Sequence, residues 1–158
     1  MKTLNYLLCS LLIFVCVPGT TVQAARSVQA AGTISLTGIG TAYTQDFNSL
    51  AVTGTMNGLG GGTHGWYLNE TGGSSRDNEY YAANTGSDNV ADTYSFGSAG
   101  SAERALGTLR STSFISTIGA SFTNNTGSAI TSLAIAYTGE EWRLGSAGRA
   151  DQLTFEYS

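Results

Sequence analysis

Beyond residue 24, no stretch of about ten residues carries a helical period. Short apolar runs with period-two alternation recur instead, each closed by Gly, Asn, Ser or Thr. Such a pattern buries one face of a strand and returns the chain through turns that tolerate positive φ. It is plainest in the second half. Phe114, Ile118, Ala120 and Phe122 face one way, and Thr117, Ser121 and Thr123 the other. Asn124-Asn125-Thr126-Gly127 reads as a turn, and Ile130 to Thr138 follows with Leu133, Ile135 and Tyr137 on one face. Ala134 and Ala136 make the second face apolar too, so the spacing predicts a hairpin whose second arm is a central strand.

Further strands are expected over Thr33–Thr37, Gly65–Glu70, Asn78–Ala83, Thr93–Gly97, Ala105–Arg110 and a last run with Leu153, Phe155 and Tyr157. Val52 to Thr63 holds five glycines and reads as a loop. Eight or so short strands joined by glycine-rich turns predict an all-β fold of β-sandwich or jelly-roll type. No fixed period points to a solenoid or propeller.

The first 24 residues differ from the rest. Lys2 precedes the apolar run Leu7–Val17, and Val22-Gln23-Ala24 suits cleavage before Ala25, so residues 1–24 read as a secretory signal peptide. A later cut after Val28-Gln29-Ala30 also fits, and neither Cys9 nor Cys16 sits in a lipobox. An apolar run of about eleven residues is too short to span a bilayer, and nothing after Ala24 resembles a second span. The expected product is secreted, extracellular or at the cell surface, with residues 25–40 as leader and first strand and residues 41–158 as the β-sandwich module.

Both cysteines, the only lysine and the only proline fall in that signal peptide. The remaining chain has no thiol and no disulfide staple, so hydrophobic burial must hold it. Its eleven acidic residues against six arginines leave a net charge near −5. That excludes the basic footprint of a nucleic-acid binder.

Candidate chemistry is sparse. His64 is the only histidine and lies at the end of a glycine-rich loop, where a rim position is the plainer reading than a Ser-His-Asp device or a zinc site. Glu70, Glu140 and Glu141 are the best carboxylates for glycoside hydrolysis, but adjacent strand residues point to opposite faces, so Glu140 and Glu141 cannot share one sugar ring. Glu141 is expected to pair with Arg143, with Arg104, Arg149 and Asp151 as further members of an ion-pair network. Asp88, Asn89 and Asp92 lie in one turn, with Asp77 and Glu79 upstream, and offer the hard oxygen donors calcium takes; the spacing matches no EF-hand or nonapeptide repeat, and a solvated turn is the alternative reading. Trp66, Tyr67 and Trp142, with Tyr80 and Tyr81, are candidates for an aromatic platform on which a sugar stacks; filling the core is the alternative use of such rings. Gly58–Gly62 lacks the lysine and strand-to-helix context of a phosphate loop. Asn69-Glu70-Thr71 and Asn124-Asn125-Thr126 match the glycosylation triplet.

An ordered series of elements carries a resemblance. Phe47-Asn48-Ser49-Leu50, Gly65-Trp66-Tyr67-Leu68, Asp92-Thr93-Tyr94-Ser95-Phe96-Gly97 and Ser101-Ala102-Glu103-Arg104-Ala105-Leu106-Gly107 begin it. Gly119-Ala120-Ser121-Phe122, Gly139-Glu140-Glu141-Trp142-Arg143 and Leu153-Thr154-Phe155-Glu156-Tyr157-Ser158 complete it. From about Thr41 onward the chain resembles an N-terminal β-sandwich module of large exported bacterial proteins, found ahead of lamin-tail-like domains, extracellular nuclease-type domains or sorting and anchoring segments. The resemblance implies further strands beyond Ser158 and a chain truncated at its C-terminus, and it carries no catalytic residues over to this chain. The expected function is a non-catalytic surface, adhesion or accessory module that takes a polysaccharide or cell-surface glycan, without a resident cofactor apart from calcium. The alternatives are the front of a secreted nuclease-type hydrolase and a structural envelope or matrix protein.

Overall fold

The computed structural model describes residues 11–15, 32–73, 76–77, 80–148 and 151–158. The expected signal peptide, residues 1–24, therefore lies outside the described residues except for 11–15. The elements are β1 (Leu11–Val15), β2 (Ile34–Leu36), β3 (Asn57–Gly58), a 3-10 turn (Gly61–Thr63), β4 (Trp66–Thr71), β5 (Tyr80–Asn84), β6 (Asp92–Phe96), β7 (Ala105–Leu109), β8 (Ile115–Asn124) and β9 (Glu156–Tyr157). The fold is all-β and sandwich-like, and the alternating runs at 34–36, 66–71, 80–84, 92–96, 105–109 and 115–124 are strands, as the sequence predicts.

Two mixed sheets result. In the first, β8 pairs antiparallel with β4, from Trp66↔Ala120 to Thr71↔Ile115, and parallel with β2 and β1, while β9 adds to β1. The second runs β3-β5-β6-β7, with only the β5–β6 pair parallel.

The core lies between the sheets. Ile34, Trp66, Leu68, Ile118 and Ala120 of the first sheet meet Tyr81 and Leu106 of the second, with Leu50 at the edge. The second sheet is covered on its outer face as well. There Ala82, Tyr94, Phe96 and Ala105 pack under Trp142, whose ring stacks on Phe96 at 6.4 Å between centroids. Both faces being buried is what allows a strand such as Thr93-Tyr94-Ser95-Phe96 to carry its large aromatics on one side and small hydroxyls on the other.

Two expectations fail. Residues 130–138 form no strand, and Leu133, Ile135 and Tyr137 are 47, 42 and 59% exposed. The final run is strand only over Glu156–Tyr157. The reason lies in the edges of β8. The amides of Ser121 and Asn125 donate to Gly65 and Leu36 carbonyls, and N–H groups of like parity point to one edge of a strand, so β4 and β2 share that edge. The opposite edge is taken by β1, in register from Leu11↔Ile118 to Val15↔Phe122. No edge of β8 remains for 130–138.

At Gly119 the tyrosine of the paired position, Tyr67, lies flat over the strand, and a Cβ there would run into its ring. Gly119→Ala is expected to cost about 1–3 kcal/mol by overpacking. Gly60→Ala, with no atom within 4 Å of its Cβ, is the control. Urea unfolding of both variants reads the difference.

Candidate functional site: an aromatic cleft and a carboxylate cluster

An open cleft of about 920 Å³ lies against the first sheet, between the strap 38–47 and the segment 130–139. Its floor is built by alternation. Trp66 of β4 and Phe122 of β8 project from the same face, and Phe47 of the strap meets Trp66 edge-on at 4.8 Å. Tyr43 closes one side, its ring edge-on to Phe122 at 5.7 Å and its hydroxyl accepting the Trp66 indole N–H at 2.8 Å. Leu133 and Tyr137 stand on the opposite wall.

The strap is held in a costly shape. Phe47 has φ 60°, the sole non-glycine with positive φ among the described residues, a conformation that costs about 1–3 kcal/mol. Local hydrogen bonds impose it. The Phe47 amide donates to Gln45 Oε1 at 3.1 Å, Gln45 Nε2 donates to the Gly62 carbonyl at 2.8 Å, and the Leu50 amide donates to the Phe47 carbonyl at 3.0 Å.

The aromatic platform expected of Trp66, Tyr67 and Trp142 is not assembled. Trp66 and Tyr67 are 7 and 8% exposed, on opposite faces of β4, and burial pushes the Tyr67 hydroxyl up to about 12. Trp142 sits over the other sheet and donates its indole N–H to Glu140 Oε2 at 2.8 Å. Tyr43, which the alternation of strands does not reach because it lies in a loop, is the ring that the cleft presents at 39% exposure.

A second cluster sits at the seam between the sheets. Glu70 of β4, Asp77 and Asp92 of β6 each bring a carboxylate oxygen within 4.8 Å of the others. Glu70 is 1% exposed. Its Oε1 accepts the Thr93 hydroxyl at 2.6 Å, its Oε2 accepts the Asp77 amide at 3.0 Å, and the Thr93 and Ser116 hydroxyls lie 2.7 Å apart. Asp92 is pushed up to about 7, chiefly by burial, with the Thr93 amide opposing and Glu70, Asp77 and Asp88 adding to the rise.

Of the calcium candidates Asp88, Asn89 and Asp92, only Asp92 joins this group. Asp88 Oδ1 is occupied by the amides of Asn89 and Val90 at 2.6 and 3.0 Å, and Asn89 Oδ1 accepts from Arg143. A turn that satisfies its own backbone leaves those oxygens engaged. Glu70 and Asp77 stand 22 and 15 positions before Asp92 in the chain, and only tertiary packing brings the three carboxylates together. Three carboxylates from three segments are the hard-oxygen set that a cation such as calcium takes.

The expected ion-pair network is replaced. Arg143 donates to the Asp88 carbonyl and Asn89 rather than to Glu141. Both Glu141 oxygens are shielded without a hydrogen-bond partner, and desolvation, then Asp151, raises its pKa. Arg104 is 3% exposed and donates to Ser95 Oγ at 2.8 Å, the Ser95 carbonyl and the Asn84 carbonyl at 3.3 Å. Arg149 and Glu79 lie outside the described residues. His64 is exposed on the turn after the 3-10 element, beside Gly32.

Comparison of the chain with known families, curated proteins and solved structures finds no match. No helix among the described residues is long and apolar enough to cross a membrane.

The Asp92 shift has a signed consequence. A carboxyl whose folded pKa lies at about 7, against 3.8 unperturbed, keeps a proton in the folded state that the unfolded chain has lost. Stability therefore falls as pH climbs from about 4 to about 7 and levels off above. The melting temperature should drop across that window, and Asp92→Asn should flatten the profile. Calcium added at pH 8 should restore melting temperature in the parent chain but not in Asp92→Asn, as scanning calorimetry would read.

Proposed function

We propose that this chain is an exported, non-catalytic surface or accessory module that binds a polysaccharide or cell-surface glycan in the cleft of the first sheet. The observation that carries the reading is the cleft itself. It is an open cleft whose floor is the buried Trp66 with the partly covered Phe47 and Phe122, and whose rings accessible for stacking are Tyr43 and Tyr137 at its sides. The C–H faces of a pyranose are apolar and stack on such rings, while its hydroxyls need polar partners at the rim. Gln45, Asp46 and Glu140 line the same cleft and supply them.

Export supports the reading from the sequence side. The positively charged start, the short apolar run and the small residues before Ala25 send the chain to where glycans are displayed. A net charge near −5 favours solubility there and leaves adhesion to be carried by the cleft rather than by charge. The resemblance to N-terminal modules of large exported bacterial proteins points to the same accessory role. Calcium at the Glu70–Asp77–Asp92 seam would act as a structural ion, neutralising carboxylates that join the two sheets.

The reading is tested by affinity electrophoresis of the exported product through gels containing neutral or acidic polysaccharides. Tyr43→Ala should weaken retardation about tenfold, the equivalent of roughly 1.4 kcal/mol, with Trp142→Ala unchanged because Trp142 covers the other sheet. Equal mobility of the parent chain and Tyr43→Ala in every polysaccharide would remove the glycan reading.

A further inference from the structure

The edge of β8 that faces β1 poses a problem for a chain that loses its leader. β8 is the spine of the first sheet, and Ile118 and Ala120 within it are fully buried. Along one edge it is satisfied by β4 and β2. Along the other, from Ile118 to Phe122, its partner is β1, residues 11–15. Those five residues fall inside the segment read as a signal peptide. Their removal would leave the amides and carbonyls of a central strand bare, and buried backbone polar groups need partners.

A replacement lies next to it in the chain. The turn after β8 is already closed: Asn124 Nδ2 donates to the Ser128 carbonyl at 2.8 Å, and the Thr126 hydroxyl donates to the same carbonyl at 3.0 Å. Residues 130–138 then run without ladder partners and with Leu133, Ile135 and Tyr137 exposed. A loop of residues 125–128 sets Asn124 opposite Ala129. The register that follows pairs Phe122 with Thr131, Ser121 with Ser132, Ala120 with Leu133 and Ile118 with Ile135. Strand periodicity then puts Leu133, Ile135 and Tyr137 on the same face as Ala120 and Ile118, the face of the core and the cleft floor. A slip of one residue would turn all three outward.

We propose that β1 is a placeholder: in the full chain the leader strand holds the free edge of β8, and on its removal residues 130–138 take that edge as an antiparallel strand in the Ser121↔Ser132 register. The inference rests on the export reading for its trigger and not on the glycan. It makes 130–138, which walls the cleft in the full chain, an extension of the cleft floor in the exported form. Leader removal thereby completes the ligand face.

Ser121 and Ser132 would form a pair without direct hydrogen bonds between them, since the even-numbered residues of β8 point their N–H groups to that edge. Such pairs bring Cα atoms to about 4.5 Å, within disulfide range. The test uses the full chain with Cys9→Ser and Cys16→Ser, so that introduced thiols are the only ones. With Ser121→Cys and Ser132→Cys, mild oxidation should leave both thiols free. Adding Phe14→Pro, which removes an amide that the parallel register with Ala120 directs at β8, should let the intramolecular disulfide close, and the exported product without its leader should carry it as well. Ser121→Cys with Leu133→Cys, the slipped register, should stay open. A melting curve cooperative like that of the parent establishes that Phe14→Pro is folded; if it is not, the exported product alone decides. A disulfide in every form or in none, or one joining two copies, would overturn the exchange. An exported product whose mass still includes residues 1–24 would overturn the export reading alone, because the Phe14→Pro chain reads the exchange without cleavage.

Discussion

The first sheet depends on β8 having both edges filled. It is the longest strand at ten residues, and β1, β2 and β4 all hydrogen-bond to it. Its even-numbered residues Ile118 and Ala120 go to the core with no exposure, while Gly119 on the reverse face leaves room for the Tyr67 ring. A strand so placed cannot be half-paired, because its backbone is out of reach of water. Everything at the cleft follows from that: Trp66 and Phe122 stand side by side as floor because β4 and β8 are in antiparallel register, Trp66↔Ala120.

The sheets are joined by polar contacts as well as by packing. Thr93 and Ser95 of β6 turn inward, where Thr93 meets Glu70 and Ser116, and Ser95 takes the Arg104 guanidinium. Ser95 also donates to the Ala51 carbonyl at 2.9 Å, and the Arg104 amide donates to Asn48 Oδ1 at 3.0 Å, which ties the residues just after the strap to the second sheet. Buried groups of this kind are costly when any partner is missing, so they select one register between the sheets more than they add to stability. The cost surfaces at Asp92, which borders Glu70 and retains its proton far above the ordinary carboxylate range.

The cleft and the seam are thus two outcomes of one arrangement. The strap that shapes the cleft is fixed at its C-terminal end, by the strained Phe47 and by the contacts of Arg104 and Ser95 to Asn48 and Ala51 just beyond it. Strain at a non-glycine position persists only where its surroundings over-determine it. Here the Gln45 side chain and the Phe47–Trp66 ring contact do so together.

By itself the sequence determined the class of fold and most of its strands. Period-two alternation and Gly/Asn turns are local signals, and Trp66-Tyr67-Leu68, Tyr94-Ser95-Phe96 and Ile118-Gly119-Ala120 each state which residues share a face. It did not determine which strand fills which edge. The alternation of 130–138 is as regular as that of 115–124, yet only one of them is a strand, because a strand needs an open edge to pair with and β1 occupies the edge of β8 that β4 and β2 leave. Nor could adjacency in sequence assign the carboxylates: Asp88 and Asn89 are spent on their own turn, while Glu70, 22 positions from Asp92 in the chain, reaches it across the sheets. Burial of Trp66 and exposure of Tyr43 were likewise settled by tertiary packing, since a ring's availability depends on what covers it and not on the residues beside it.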